Sequence, residues 1–76
     1  MNTKKREKLK NAKAFFEKGL TILSAVLDDE QDCCDNMPDN LQGSDRYDKM
    51  EKAIGHLEDA ISDVESSIEH IDSACE

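Results

Sequence analysis

Tyr47, Ile54, Ile61, Ile68 and Cys75 recur every seven residues, and Met50, Leu57, Val64 and Ile71 fall between them. The two sets form an unbroken a/d stripe over four heptads. A helix carrying such a stripe has a seam and needs a second helix to cover it. Beside the stripe run Ala53, Ala60, Ser67 and Ala74, also seven apart. A row of small residues lets a neighbouring helix approach closely. This pattern reads as a packing face rather than a cofactor stripe.

The first half supplies the partner. From Lys4 to about Asp32 there is one Gly and no Pro. Leu9, Phe15, Phe16, Leu20, Ile22, Leu23, Val26 and Leu27 fall at helical spacing. At about 100° per residue they cover an arc of roughly 160°. That is wider than a contact with one helix requires, so this helix is expected to have more than one neighbour. Between the halves, Pro38 disfavours helix at Met37. Gly43 ends the loop, and Ser44 is a good N-cap for the second helix. Asp45 and Asp48 then sit in a first turn, where the helix dipole favours them. Asp39 and Gln42 have capping-box spacing, which predicts a single helical turn inside the loop.

The chain therefore reads as one all-α domain spanning residues 1–76. It has a helix over about 4–32, a loop over 33–43 and a helix over 44–75. A short connection makes the helices antiparallel neighbours. Residues 1–18 carry a net charge of +5, and residues 19–76 carry -13. The hairpin places the basic start (Lys4, Lys5, Arg6, Lys8, Lys10) beside the acidic end (Glu65, Glu69, Asp72, Glu76). Each end is wrong for its own helix dipole and right for the other's. One hairpin cannot cover the wide face of the first helix. Two of them, as a four-helix bundle, or a higher homo-oligomer, would do so.

Charge and length set further bounds. The chain has 76 residues and a net charge of -8. A chain this short buries little of its surface alone. Strong acidity disfavours direct binding to nucleic acid. No apolar run approaches the roughly 20 residues of a membrane span, and the basic start lacks the apolar segment and cleavage site of a signal peptide. Cys33, Cys34 and Cys75 are odd in number and badly placed for a disulfide framework. They read as reduced, intracellular thiols.

No catalytic or metal constellation emerges. The bundle di-metal motif Glu-x-x-His does not occur. Asp28, Glu30 and Asp32 start a calcium-loop spacing, but Cys33 stands where the turn needs Gly. Cys33 and Cys34 have no second ligand pair at zinc spacing. His56 and His70 lie beside the apolar stripe and read as surface residues. The expectation is a protein without catalytic residues, metal or cofactor.

The loop carries more chemistry than a turn needs. Asn40, Gln42, Ser44, Arg46 and Tyr47 bring amide, hydroxyl, guanidinium and aromatic groups together, with Asn36 and Asp39 beside them. Arg and Tyr are common anchors of binding surfaces. Capping and solvation also account for Asn, Asp, Gly and Ser in a loop. These five residues are the candidate ligand site.

Asp35-Asn36-Met37-Pro38-Asp39-Asn40-Leu41-Gln42, then Ser44-Asp45-Arg46-Tyr47 and the Ala-Ile-x-x-Leu-Glu-x-Ala-Ile rhythm of 53–61, carry a resemblance. The stretch from about Asp29 to Ile71 resembles a family of short, acidic helical proteins of phages and prophages of Gram-positive bacteria. The basic N-terminus lies outside that likeness. The resemblance implies a viral accessory role in the cytoplasm of a bacterial host, and no activity that transfers residue by residue. Such proteins often act stoichiometrically on host defence. The first expectation is thus a non-enzymatic anti-defence protein, its sharpest form an oligomer that sequesters a small nucleotide-derived signal where subunits meet. Loop amides would read a base or ribose, Tyr47 would stack, and Arg46 or the N-terminal lysines would hold phosphate. The alternatives are an acidic inhibitor of a host nucleic-acid enzyme (Glu58, Asp59, Asp63, Glu65, Glu69) and a viral assembly adaptor.

Overall fold

The computed structural model describes all 76 residues as two long helices joined by a short loop. Helix α1 spans Thr3–Asp35 and α2 spans Asp45–Ala74, with one 3-10 turn, Asp39–Leu41, between them. There are no strands. The helices pack side by side in opposite directions, so the start of α1 lies near the end of α2. Lys13 Nζ donates to Asp72 Oδ1 across the pair at 2.7 Å.

Each boundary has a local cause. The Asn2 side chain caps α1 by accepting from the Lys5 amide at 2.8 Å. α1 continues through Cys33, Cys34 and Asp35, past the expected end near Asp32. Nothing in those residues breaks a helix, so the stop comes from Pro38, which pushes Met37 out of the helical region. The Asn36 amide still bonds to Asp32 O at 3.0 Å, and the chain then leaves the helix. Ser44 caps α2: its Oγ accepts from the Tyr47 amide at 3.3 Å and donates to Leu41 O at 2.6 Å. Asp45 and Asp48 occupy the first turn of α2. The turn expected in the loop is present, with different bonds. Gln42 Nε2 donates to Asp39 Oδ1 at 3.3 Å, and the Gln42 amide to Asp39 O at 3.3 Å.

The seam between the helices follows the heptads. On α1 it runs through Leu9, Leu20, Leu23, Leu27 and Cys34; on α2 through Tyr47, Met50, Ile54, Leu57, Ile61, Val64, Ile68 and Ile71. All are at least half-buried, but only Cys34, at 7% exposure, is fully so. Ala53, Ala60 and Ser67 are half-buried beside the seam. The shape explains the thin core. Cα extents are 59 × 14 × 13 Å, and the radius of gyration is 17.4 Å. A compact chain of this length has a radius near 11 Å. The surface is 5807 Å². A compact monomer of 8.5 kDa would expose about 4,650 Å².

The excess is concentrated on α1. Phe15 is 76% exposed, Ile22 57% and Val26 44%. They form a second apolar stripe, one position over from the seam and so about 100° round the helix. α2 covers the first stripe and leaves the second open. The wide apolar arc of α1 is therefore two faces, of which the hairpin uses one.

Candidate functional site

The loop end of the hairpin is built around Tyr47. Its backbone amide is held by the Ser44 cap, and its ring is half-buried. The Glu51 carboxylate, one turn further along α2, is the main influence on the phenol, and the Cys34 thiol of α1 is the next. Together they push the phenol up to about 12. Tyr47 thus stands on α2 near Cys34, the most buried residue of α1. The Cys34 contact was readable in the sequence: Cys34 is seven residues after Leu27, in register with the seam.

The five candidate residues divide by what they already do. Ser44 commits its hydroxyl to the cap and to Leu41 O. Gln42 commits its amide to Asp39 Oδ1 and to Met37 O at 3.4 Å. Tyr47 closes the end of the seam. Asn40 and Arg46 are exposed, and neither side chain bonds to the rest of the chain. All five lie within one end of the molecule, but no cavity forms among them.

The two depressions of the surface lie elsewhere. One, of about 400 Å³, is lined by Lys13, Glu17, Leu20, Glu65, Ile68 and Glu69. It straddles the seam beside the Lys13–Asp72 pair. The Asp72 carboxylate, by hydrogen bond and charge, holds the Lys13 ammonium above its ordinary range. Three carboxylates and one ammonium make this a poor anion site. The other, of about 290 Å³, is lined by Met1, Lys5, Lys8 and Leu9. It is basic and apolar, and it lies at the end away from the loop.

That separation matters for any phosphate-bearing ligand. The N-terminal lysines and the loop stand at opposite ends of α1. Lys5 and Asn36 are 31 residues apart, or roughly 46 Å at helical rise. A single chain therefore does not bring Arg46 and the lysines together. Of the basic residues in the first turns, Lys4, Lys5, Arg6, Lys8 and Lys10 pair with no acid of α2; only Lys13 does. The register explains this. With Lys13 level with Asp72, Ala74 is level with Asn11, and Thr3–Lys10 reach about 12 Å beyond α2.

No group of His, Cys, Asp and Glu is arranged to hold a metal ion. Cys33, Cys34 and Cys75 are free thiols, and both histidines are exposed. No helix is long and apolar enough to cross a membrane. No protein-family model, curated protein or solved structure matches the chain.

Proposed function

We propose that this protein is a non-enzymatic viral accessory protein that works by binding as a homo-oligomer, and that it acts against host defence. The observation that carries the reading is the open apolar face of α1. Phe15, Ile22 and Val26 are too large and too exposed to be left in water by a chain that works alone. The anti-defence role rests on the likeness of the loop and of residues 53–61 to phage and prophage proteins.

In its sharpest form the ligand is a small nucleotide-derived signal held where subunits meet. Arg46 and Asn40 have free polar groups for it, beside the half-buried ring of Tyr47 that closes the seam. The second reading, an acidic inhibitor of a host nucleic-acid enzyme, is favoured by a different observation. Glu58, Asp59, Asp63, Glu65 and Glu69 are all exposed and form no ion pair.

Native mass spectrometry of the protein purified gently from a host extract tests both. An oligomer with a retained mass of small-molecule size is the expected result. Adding back that molecule at a hundredfold excess over Kd should stabilise the fold by about 2.7 kcal/mol. Arg46→Ala should weaken that gain without loss of helicity; an unchanged gain removes Arg46 from the site. An oligomer that carries a host protein instead would favour the inhibitor. A bare monomer overturns the reading.

A further inference from the structure

We infer that a second copy of this chain docks on the open face of α1, with the two α1 helices antiparallel, and that its N-terminal lysines complete the loop-end site of the first. The inference rests on the oligomeric reading and gives it a surface, a direction and a register.

The face is a heptad stripe in its own right. Lys8, Ala12, Phe15, Gly19, Ile22, Val26, Asp29 and Cys33 are spaced alternately four and three apart. Reversed on itself about a point between Leu20 and Thr21, the stripe falls in register. Phe15 then meets Val26 of the other copy, and Gly19 meets Ile22. Gly19 leaves room for that contact, since a methyl group there would touch nothing in the hairpin. The stripe lies about 100° from the seam, close to the right angle between neighbours in a square four-helix arrangement.

Area argues for an occupant of this size. The chain exposes 5807 Å², roughly 1,100 Å² more than a compact monomer of its mass. A standard protein interface removes about 800 Å² from each partner. The excess is of the order that one such contact would cover.

Charge selects both the occupant and the direction. Near the stripe, the start of α1 carries Lys4, Lys5 and Lys8, and its end carries Asp29, Glu30 and Asp32. Neither group forms an ion pair within the hairpin. Antiparallel docking sets the lysines of each copy against the carboxylates of the other, twice over. Parallel docking sets like against like at both ends, which is repulsive. The chain is thus complementary to itself in one direction only.

The same register shapes the site. It brings Arg6 and Lys8 of one copy level with Asp35 and Cys33 at the end of α1 of the other, so that the residues before them reach the loop. Lys4, Lys5 and Lys8 then stand beside a loop end carrying Asn40 and Arg46. A single chain keeps these groups at its two ends. The assembled site joins ammonium groups to the Arg46 guanidinium, and it suits a phosphate that competes for them with Asp35, Asp39 and Asp45.

The register can be trapped with a thiol. Cys33 lies on the stripe and is exposed and free, and antiparallel docking places it opposite Lys8 of the second copy. The full-length Lys8→Cys variant should form a covalent dimer under mild oxidation, and tryptic peptides should join the introduced thiol to Cys33. These two positions are 25 residues apart on one helix, about 38 Å, so the link must be between copies. The unmodified chain should give no Cys33–Cys33 link. A Cys33–Cys33 link, or no gain in dimer from Lys8→Cys, overturns the antiparallel register. Phe15→Asp and Ile22→Asp alter side chains that lie mostly in solvent, so helicity should persist while the native oligomer mass is lost. An oligomer that survives both overturns the docking face but leaves an oligomeric binding protein standing. A monomeric unmodified chain overturns both.

Discussion

α1 and α2 are nearly equal in length, 33 and 30 residues, and they bury the same seam. They differ in what remains. Beyond its a/d stripe, α2 shows solvent only charged, polar and small side chains. Every large apolar residue of the helices that is markedly exposed belongs to α1: Phe15, Phe16, Ile22 and Val26. The difference teaches that the width of an apolar arc counts neighbours. A stripe one heptad seam wide needs one partner helix, and two stripes about 100° apart need two. α2 is satisfied within the hairpin, and α1 is half satisfied.

The strongest way to break this comparison is to put the same charge on each helix. Ile61→Asp puts a carboxylate into the half-buried seam between α1 and α2. It should cost about 3 kcal/mol or more and abolish the cooperative thermal transition seen by circular dichroism at 222 nm. Ile22→Asp, on the open stripe, should leave that transition to the isolated hairpin. If both variants melt alike, the two faces of α1 are not distinct. If Ile61→Asp melts like the parent chain, α2 does not use its a/d stripe as the seam.

A finer contrast compares the two caps. Ser44 starts a helix that is packed from its first turn, through Tyr47 on Cys34. Ser44→Ala removes both the Tyr47 amide's acceptor and the bond to Leu41 O, and should cost about 1 kcal/mol in urea denaturation. Asn2 caps a segment that reaches beyond α2. Asn2→Ala should fray that segment alone and cost only a few tenths of a kcal/mol of global stability. A cost from Asn2→Ala as large as that from Ser44→Ala would mean that the start of α1 is held by something other than its own hairpin.

Much of this was legible in the sequence. Heptads in 47–75 carried the seam, Ser44 the cap, and the short connection the direction of the hairpin, while the expected meeting of basic start and acidic end comes down to Lys13 and Asp72. The arc of α1 was wider than one partner covers, and Phe15, Ile22 and Val26 are indeed left exposed by the hairpin. What was not legible was how the loop commits its polar groups. Asn40, Gln42, Ser44, Arg46 and Tyr47 look alike as binding residues until the bonds are drawn. Then Ser44 and Gln42 are engaged in holding the loop, Tyr47 is half-buried at the end of the seam, and only Asn40 and Arg46 are both exposed and unbonded. Local hydrogen bonds of this kind depend on a 3-10 turn whose bonding the residue types leave open. The end of α1 was hidden for a similar reason: Cys33, Cys34 and Asp35 are neutral about continuing, and Pro38 decides for them three residues later.

The comparison extends to alkaline pH, where the two ends of the hairpin each hold one proton. At the loop end, Glu51 and then Cys34 raise the Tyr47 phenol from 10.0 to about 12. At the open end, the Asp72 hydrogen bond raises the Lys13 ammonium above 10.5. Both shifts are upward, so both have the same sign. Below pH 10 the folded and unfolded chains hold these protons equally, and the contribution to stability is complete. Above it the unfolded chain releases them first, so stability falls as pH rises through the folded values. The midpoint of thermal unfolding should therefore drop between pH 10 and about 12. Tyr47→Phe should flatten that drop by removing the loop-end proton, and Asp72→Asn should flatten it by returning Lys13 to its ordinary range. The two losses should add, because the groups sit at opposite ends of a 59 Å molecule. A Tyr47→Phe curve that parallels the parent's would place the phenol outside the reach of Glu51 and Cys34. In that case the loop end would be open rather than closed, and Tyr47 would join Asn40 and Arg46 as a side chain free to meet a ligand.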